Sequence, residues 1–448
     1  MADDNNNAPS SASSLDAPTS GDGATGADQT PAEESANAPA PRSDNPFSFQ
    51  ERSDENATEQ QAVNPLTDEQ GADDSVAEAE RQDEDEEAVP WTRQSINIPD
   101  GPITETIEYQ TYPANRFTHE ELDLGDDDLM PMLRNMLLQR RFEERCRQMY
   151  QQQKISGFLH LYIGQEAVST GSVYAIRLGE DSIITAYRDH GMGLAMGMDP
   201  NACMAELFGK KTGGSKGKGG SMHFFDAQKR MFGGHAIVGA HLPVGAGIAF
   251  AHKYRGEDNV CLCFFGDGGM AQGAYREALN LAGIYDLPIV FICENNQYAM
   301  GTAVDRVQAE PDLFKHGRSF DMPCSLASGM DVFSVNKAVK EHVEMARKGQ
   351  PSMLEIRTYR YQGHSISDPA MYRKEGELGA RKSEDAIVRL EQYIIDASIA
   401  TDAEIETLDE EIKQAVLDAI DFAENSDFPD ADAIYDDVYA QKDYPFIA

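Results

Sequence analysis

The first hundred residues lack lysine entirely and contain few large apolar side chains. Ala, Ser, Asn, Asp, Glu and Pro dominate this segment, so it cannot bury enough apolar surface to offset the entropy of ordering. We therefore predict a disordered acidic tail over residues 1–115. Residues 116–380 form the predicted folded domain, and residues 381–448 form a predicted helical C-terminal region.

Paired cysteines and long apolar runs are also missing. The six cysteines include no Cys-x-x-Cys pair, and Cys261, Cys263 and Cys293 lie in apolar, strand-like runs. Buried thiols in a reducing compartment are expected, rather than a disulfide framework or a zinc site. No apolar segment reaches 18 residues, so no membrane span is predicted. Without a secretory or mitochondrial targeting pattern, a cytoplasmic location is expected.

The formal net charge of −39 is concentrated at the two ends of the chain. Residues 1–100 hold 24 acidic and 4 basic side chains, and residues 384–448 hold 19 and 3. The middle is nearly neutral, which argues against nucleic acid or an anionic membrane as a partner. The acidic ends are interpreted as solvated surface, with docking to a basic partner or adaptation to high salt as alternatives.

Short apolar runs alternate with helical patterns through the middle of the chain. The predicted strands are SIITAY (182–187), NVCLCFF (259–265), PIVFIC (288–293) and PSMLEIRTYRY (351–361). A helix over residues 274–286 would join the second and third strands as a βαβ unit. Continuous apolar strands are typical of a parallel sheet covered on both faces, so we predict an α/β fold. Helices are also predicted over 129–152 and over 401–425, the latter opened by a Thr401/Glu404 capping box.

A glycine-rich turn, GDGGMA (266–271), follows the second predicted strand. It fits a loose dinucleotide fingerprint, with Glu294 where a ribose-binding acid would lie, so an NAD-dependent oxidoreductase is one alternative. However, Asp267 would point a carboxylate at a pyrophosphate. A divalent cation removes this conflict, because Mg²⁺ binds carboxylate, amide and phosphate oxygens together. Asp267 and Asn296, which follow neighbouring strands, would then converge on one crevice.

These two stretches, GDG and NN, resemble the thiamine-diphosphate motif. The chain from about 129 to 440 is similar, with few gaps, to α subunits of the first component of 2-oxo acid dehydrogenases, pyruvate type. The stretches that carry the resemblance are GFLHLYIGQEA (157–167), ITAYRDHG (184–191), GKGGSMHFF (217–225), IVGAHLPVGAGIA (237–249) and TYRYQGHSISDP (358–369). The resemblance implies a thiamine-diphosphate-binding fold.

The resemblance also implies a role for particular residues. Asp267, Asn296 and the Tyr298 carbonyl would bind Mg²⁺. Tyr187, Arg188 and His364 would hold the diphosphate, where a guanidinium fork suits phosphate oxygens. Gly268 and Gly269 would let the backbone approach the cofactor, and Val238 would line the thiamine pocket. His160 would lie near the substrate entrance and, with His364, would serve catalysis. The alternatives are an Arg188–Asp189 pair and a core position for His160.

The expected activity is oxidative decarboxylation of pyruvate, with acetyl transfer to the lipoyl group of a partner acyltransferase. The resemblance assigns the carboxylate that activates the cofactor to a separate β subunit, so an α₂β₂ assembly is expected. Branched-chain 2-oxo acid and acetoin dehydrogenase α subunits are alternatives within the family. A non-catalytic scaffold that docks complexes through its acidic tail is the alternative outside enzymes.

One glycine- and lysine-rich segment resembles a phosphate-binding loop, and a few single residues differ from those of the relatives. GKKTGGSKGKGGS (209–221) has no Gly-Lys followed by Ser or Thr at P-loop spacing, so we interpret it as a flexible basic loop with solvated lysines. Ala236 stands where relatives often have Gly, and Ala303 where mitochondrial relatives carry a phosphorylatable Ser. Although Ser365 remains at a control position of those relatives, kinase regulation is not expected.

Overall fold

A computed structural model describes residues 107–438 of the chain. Most of the predicted acidic tail and the last ten residues lie outside this range. The strands are β1 (Gln110–Tyr112), β2 (Ser182–Ala186), β3 (Met231–His235), β4 (Cys261–Gly266), β5 (Ile289–Asn295), β6 (Tyr298–Ala299), β7 (Thr302–Ala303), β8 (Cys324–Ser328) and β9 (Ser352–Arg357). The α-helices are α1 (Asp126–Gln151), α2 (Glu166–Val173), α3 (His190–Ala195), α4 (Pro200–Leu207), α5 (His241–Arg255), α6 (Gly273–Ile284), α7 (Val304–Val307), α8 (Val332–Arg347), α9 (Glu377–Lys382), α10 (Ala386–Asp396) and α11 (Asp402–Asn425).

Seven of the strands form one sheet, in the order β1-β8-β9-β5-β4-β2-β3, and every neighbouring pair is parallel. Strands β6 and β7 form a separate two-residue antiparallel pair. The predicted parallel α/β fold is thus confirmed, as are the four predicted strands and the βαβ unit of β4, α6 and β5.

Alternate residues of the central strands enter two different hydrophobic cores. On one face, Leu262 and Phe264 of β4 pack with residues of α1, α4, α8 and α11. On the other face, Cys263 and Phe265 pack with α5 and α6. Both cores are fully buried at the sheet, which explains why these strands are continuously apolar rather than alternating.

The ends of the described chain refine two predictions. Strand β1 lies within the segment assigned to the tail, because three residues of mixed polarity give no apolar signal although they pair with β8. The C-terminal region is helical over α10 and α11, and the Thr401/Glu404 capping box is present. No helix within residues 107–438 is long and apolar enough to cross a membrane.

The strand order reverses between β2 and β4. The chain leaves β2 for β3 on one side, whereas it leaves β4 for β5 on the other. At such a switch point the loops that follow the two strands turn in opposite directions and leave a crevice at the carboxyl edge of the sheet. Ligand-binding residues are therefore expected directly after β2, β4 and β5.

Candidate active site

A pocket of about 400 Å³ opens at this carboxyl edge. All ten residues that the sequence singled out line it: His160, Tyr187, Arg188, Val238, Asp267, Gly268, Gly269, Asn296, Tyr298 and His364. They come from six separate segments, which the sheet brings together because the loops after β2, β4, β5 and β9 share one edge.

Asp267 is the first residue after β4 and starts a short 3₁₀ helix, Asp267–Ala271. Its side chain is buried, and burial raises the pKa of this carboxyl to about 6, although the charge of Arg360 opposes the shift. A buried carboxylate that lacks a bound cation is held at a cost, so this position suits a metal ligand.

The two asparagines at the end of β5, Asn295 in the strand and Asn296 directly after it, have different hydrogen-bond partners. Asn295 points away from the pocket and donates to Glu355 Oε1 at 2.8 Å. Asn296 lines the pocket, donates to Gln165 Oε1 at 3.0 Å and accepts from Arg360 Nη1 at 2.9 Å. The same Arg360 nitrogen also donates to the main-chain oxygen of Tyr298 at 3.1 Å. The Asn296 side-chain oxygen and the Tyr298 carbonyl oxygen, two of the three proposed Mg²⁺ ligands, therefore both face the Arg360 guanidinium.

Two buried guanidinium groups carry the positive charge of the site. Arg188 donates to the main-chain oxygens of Leu161, at 2.7 Å, and His364, at 2.8 Å. It does not pair with Asp189, which instead accepts the N–H of Phe224 at 2.7 Å. Within residues 107–438, neither Arg188 nor Arg360 has a carboxylate at ion-pair distance. Burial, followed by the nearby charge of Arg360, lowers the pKa of Arg188 to about 10, so Arg188 is charged at neutral pH.

His160, Tyr187 and His364 form an aromatic cluster at one wall of the pocket. The ring centroid of His160 lies 4.8 Å from that of Tyr187 and 5.1 Å from that of His364. Burial, and then the charge of Arg188, lowers the pKa of His160 to about 3 and that of His364 to about 4. Both imidazoles are therefore neutral at pH 7, and the Nδ1 atom of each is buried without a hydrogen-bond partner.

Sequence patterns did not identify Gln165, Arg360 or the pairing of Glu294 with Tyr162. Glu294 is the second-last residue of β5, where it pairs with Gly266 of β4, and it accepts the Tyr162 hydroxyl at 2.5 Å. Burial raises the pKa of Glu294 to about 7, and the Tyr162 hydroxyl and Arg188 oppose the shift. All three residues stood in or beside stretches that the sequence analysis singled out, but Glu294 and Gln165 have partners about 130 residues away. The Asn296 and Tyr298 partners of Arg360 lie more than 60 residues away.

The glycine-rich basic loop is ordered rather than flexible. The buried Glu206 carboxylate accepts four of its main-chain N–H groups, from Ser215, Gly217, Gly219 and Gly220, at 2.7–3.0 Å. Its lysines are not simply solvated: Lys211 pairs with Asp427, and Lys216 and Lys218 pair with Asp437. The loop leads directly into Met222, which lines the pocket.

These residues define a parallel α/β protein with a switch-point pocket that holds two guanidinium groups, of Arg188 and Arg360, and two carboxyl groups, of Asp267 and Glu294. No cluster of three or more His, Cys, Asp or Glu side chains in the described range could hold a metal. A cation here would therefore rely on amide and carbonyl oxygens beside a single carboxylate. Asp267, Asn296 and the Tyr298 carbonyl offer that donor set, which suits Mg²⁺ rather than a transition metal.

The sequence matches the family model described as "Dehydrogenase E1 component" over residues 134–432, and the chain belongs to this family. It is 47% identical over 318 residues to the "Pyruvate dehydrogenase E1 component subunit alpha" of Rhizobium meliloti, covering 70% of this chain and 91% of that protein. It is 45% identical over 314 residues to the protein of the same name from Rickettsia typhi, covering 70% and 96%. Membership of this enzyme family implies use of thiamine diphosphate.

Proposed function

We propose that this chain is the α subunit of a pyruvate dehydrogenase first component, which decarboxylates pyruvate oxidatively and transfers the acetyl group to the lipoyl group of a partner acyltransferase. The observation that carries the proposal is the pocket, which gathers two buried guanidinium groups without carboxylate partners. The names of the similar proteins support pyruvate as the substrate, and no observation favours the branched-chain, acetoin or NAD-dependent alternatives.

The residues present fit thiamine diphosphate and Mg²⁺. Arg188, Tyr187 and His364 would hold the diphosphate, and Asp267, Asn296 and the Tyr298 carbonyl would hold the metal. Gly268 and Gly269 would allow close approach of the backbone, although a Cβ on Gly268 would also come within 2.8 Å of Ala299 Cβ. Val238 would contact the thiamine rings. Bound thiamine diphosphate supplies the electron sink that decarboxylation of a 2-oxo acid requires.

The chain's own side chains bind, orient and exchange protons. The charge of Arg188 persists across the physiological pH range, so it can hold an anion throughout. Because His160 and His364 are neutral, each ring has one N–H and one unprotonated nitrogen, so each can donate one hydrogen bond and accept another. Their burial also removes water from that wall, which strengthens polar contacts to a bound substrate.

A separate β subunit is part of the proposal. The rim of the pocket exposes Ile237, Val238 and Met300, at 75%, 41% and 65% of their surfaces. Apolar side chains grouped at the mouth of a site favour coverage by another protein chain. The proposed assembly is α₂β₂, in which the β subunit supplies the carboxylate that activates the cofactor.

The proposal includes a cytoplasmic location and a role in acetyl-CoA synthesis from the pyruvate of glycolysis. All six cysteines are buried free thiols. Free thiols persist in a reducing compartment, which favours the cytoplasm over an oxidising one.

The decisive experiment measures substrate turnover, followed as reduction of an artificial electron acceptor, by the chain together with its β partner, thiamine diphosphate and Mg²⁺. Pyruvate, 2-oxoisovalerate and acetoin are compared by kcat/KM, with the α chain alone as the control. We expect pyruvate to be preferred and the α chain alone to be inactive. Preference for another substrate would contradict the pyruvate assignment, and full turnover by α alone would contradict the shared site.

A further inference from the structure

Behind the pocket wall, four buried residues form a continuous hydrogen-bonded chain. Glu143 Oε1 lies 3.0 Å from His190 Nδ1. His190 Nε2 lies 3.0 Å from both the main-chain oxygen and the hydroxyl oxygen of Ser221. The Ser221 hydroxyl accepts the main-chain N–H of His160 at 3.1 Å. None of the four residues is more than 5% exposed.

The geometry makes His190 a donor at both ring nitrogens. Glu143 Oε1 accepts the N–H of Tyr162 at 3.0 Å, and a carboxylate oxygen can only accept, so Nδ1 also donates to it. A carbonyl oxygen can only accept, so Nε2 donates to Ser221, and a ring with two N–H groups is positively charged. Burial has the largest single effect and opposes this charge, but Glu143, Asp189 and the Ser221 carbonyl together outweigh it, so the pKa of His190 lies above its usual value. The titratable groups that face the ring are Glu143, Asp189 and His160.

This chain of contacts joins a fixed ion pair to the wall of the pocket. Glu143 lies on α1, and His190 opens α3 directly after the loop that carries Arg188. Ser221 is the last residue of the glycine-rich loop before Met222, which lines the pocket. A hydrogen bond from Ser221 therefore sets the main chain of His160 relative to that loop.

We propose that Glu143, His190 and Ser221 are positioning residues that fix the main chain of His160, and thereby the place of its imidazole in the pocket. The identity of the substrate rests on the proposed function, but the hydrogen bonds themselves do not. A serine hydroxyl that accepts a buried N–H is a small contact to remove, and its loss frees that N–H without deleting a pocket side chain.

The first test uses Ser221→Ala in the full-length chain without cofactor, with Ser215→Ala as the matched control. Ser215 lies in the same loop, and its hydroxyl donates to the His223 carbonyl at 2.8 Å rather than to the His160 segment. Hydrogen–deuterium exchange at the His160 amide should be about tenfold faster in Ser221→Ala, because its acceptor is lost. Ser215→Ala should leave that amide unchanged. Equal protection of this amide in Ser221→Ala and in the unaltered chain would overturn the proposal.

The second test measures turnover in the enzyme assembled with its β partner. Ser221→Ala should lower kcat for pyruvate about tenfold, while KM and the Kd of thiamine diphosphate change less than about twofold, because orientation rather than contact is lost. In a His160→Ala background the same change should have no further effect. Effects of the two substitutions that multiply fully would overturn the proposal.

Glu143→Gln gives an independent variant of similar size if Ser221→Ala does not fold. It keeps an acceptor oxygen but removes the charge that holds the proton on His190. After correction for intrinsic exchange, protection of the His160 amide should then fall as pH rises from about 5.5 to 7.5, whereas in the unaltered chain it should stay level. A level profile in the variant would contradict the proposed charge. If the unaltered enzyme did not turn over pyruvate, the proposed function would be refuted. The hydrogen-exchange measurements would still test the positioning residues, because they need neither substrate nor cofactor.

Discussion

Arg360 Nη1 donates to Asn296 Oδ1 at 2.9 Å, in the part of the pocket where the proposed metal would bind. The same nitrogen reaches the Tyr298 carbonyl, so one guanidinium orients both neutral oxygens of the proposed metal site. Groups that orient metal ligands in this way commonly contribute about 10- to 100-fold to metal affinity.

Replacing Arg360 with lysine should therefore weaken Mg²⁺. A lysine ammonium cannot reproduce a planar fork that reaches several acceptors at once. We expect the Mg²⁺ concentration that half-saturates thiamine diphosphate binding to rise about tenfold in Arg360→Lys, measured by calorimetric titration. Arg357→Lys is the control, since Arg357 pairs with Asp312 and Glu355 away from this pocket. An unchanged Mg²⁺ requirement in Arg360→Lys would show that Arg360 does not orient the ligands.

Replacing Asp267 with asparagine should separate function from stability. The folded-state pKa of about 6 exceeds the unfolded value of this carboxyl. The contribution of Asp267 to stability therefore falls as pH rises from about 4 to 6, and it stays at this lower level at higher pH. Asp267→Asn should abolish Mg²⁺-dependent cofactor binding. Without cofactor at pH 7, it should raise the free energy of unfolding by about 2 kcal/mol, because the burial cost of the charge disappears. Thermal unfolding at pH 4 and pH 7 measures the difference, and a variant less stable than the unaltered protein at pH 7 would refute it.

The hydroxyl of Tyr162 should influence cofactor binding through Glu294. Removing it in Tyr162→Phe should raise the pKa of Glu294 above about 7, because that hydroxyl stabilises the charged form. A charged Glu294 repels a diphosphate, so affinity should fall as pH rises through this pKa, and the fall should move to higher pH in the variant. Titration calorimetry from pH 6 to 8.5 tests the shift. Tyr275→Phe, which removes a hydroxyl that donates to Met353 Sδ in the core beside α5 and α6, should leave the profile in place.

The apolar rim should govern association with the β subunit. Ile237→Lys places a charge at the most exposed of the rim side chains, and a desolvated charge in an interface is costly. Binding to the β subunit should weaken at least about tenfold by sedimentation, with the melting temperature of the isolated chain unchanged. The control is Leu178→Lys, which alters another exposed apolar residue, 59% accessible, at the opposite edge of the sheet. Equal effects of the two substitutions would argue against this rim as the interface.

The sequence predicted the centre of the sheet because its strands are buried on both faces and read as unbroken apolar runs. It did not predict β3, whose sequence MFGGH contains two glycines. Nor did it predict β8, whose sequence CSLAS contains two serines. Both strands are defined by their backbone pairing with neighbouring strands, and this pairing leaves no apolar pattern in the sequence of either strand.

In the candidate site, too, some residues of the pocket were predictable from the sequence and others were not. Asp267 and Asn296 were predictable because each directly follows a strand, at the edge where parallel sheets bind ligands. Arg360 was not, since its role depends on acceptors more than 60 residues away in sequence. Residues whose function is to orient others are defined by partners in space, and a local motif does not contain that information.

The glycine-rich loop takes its shape from hydrogen bonds to the Glu206 carboxylate. Its four N–H groups form the kind of concave cradle that usually captures a phosphate from solution. Here a carboxylate from the same chain occupies the cradle permanently. The loop is thus self-liganded, and it takes its shape during folding rather than on encounter with a metabolite. The hydrogen bonds that shape this wall of the site all come from the chain itself, so none of them requires a bound cofactor.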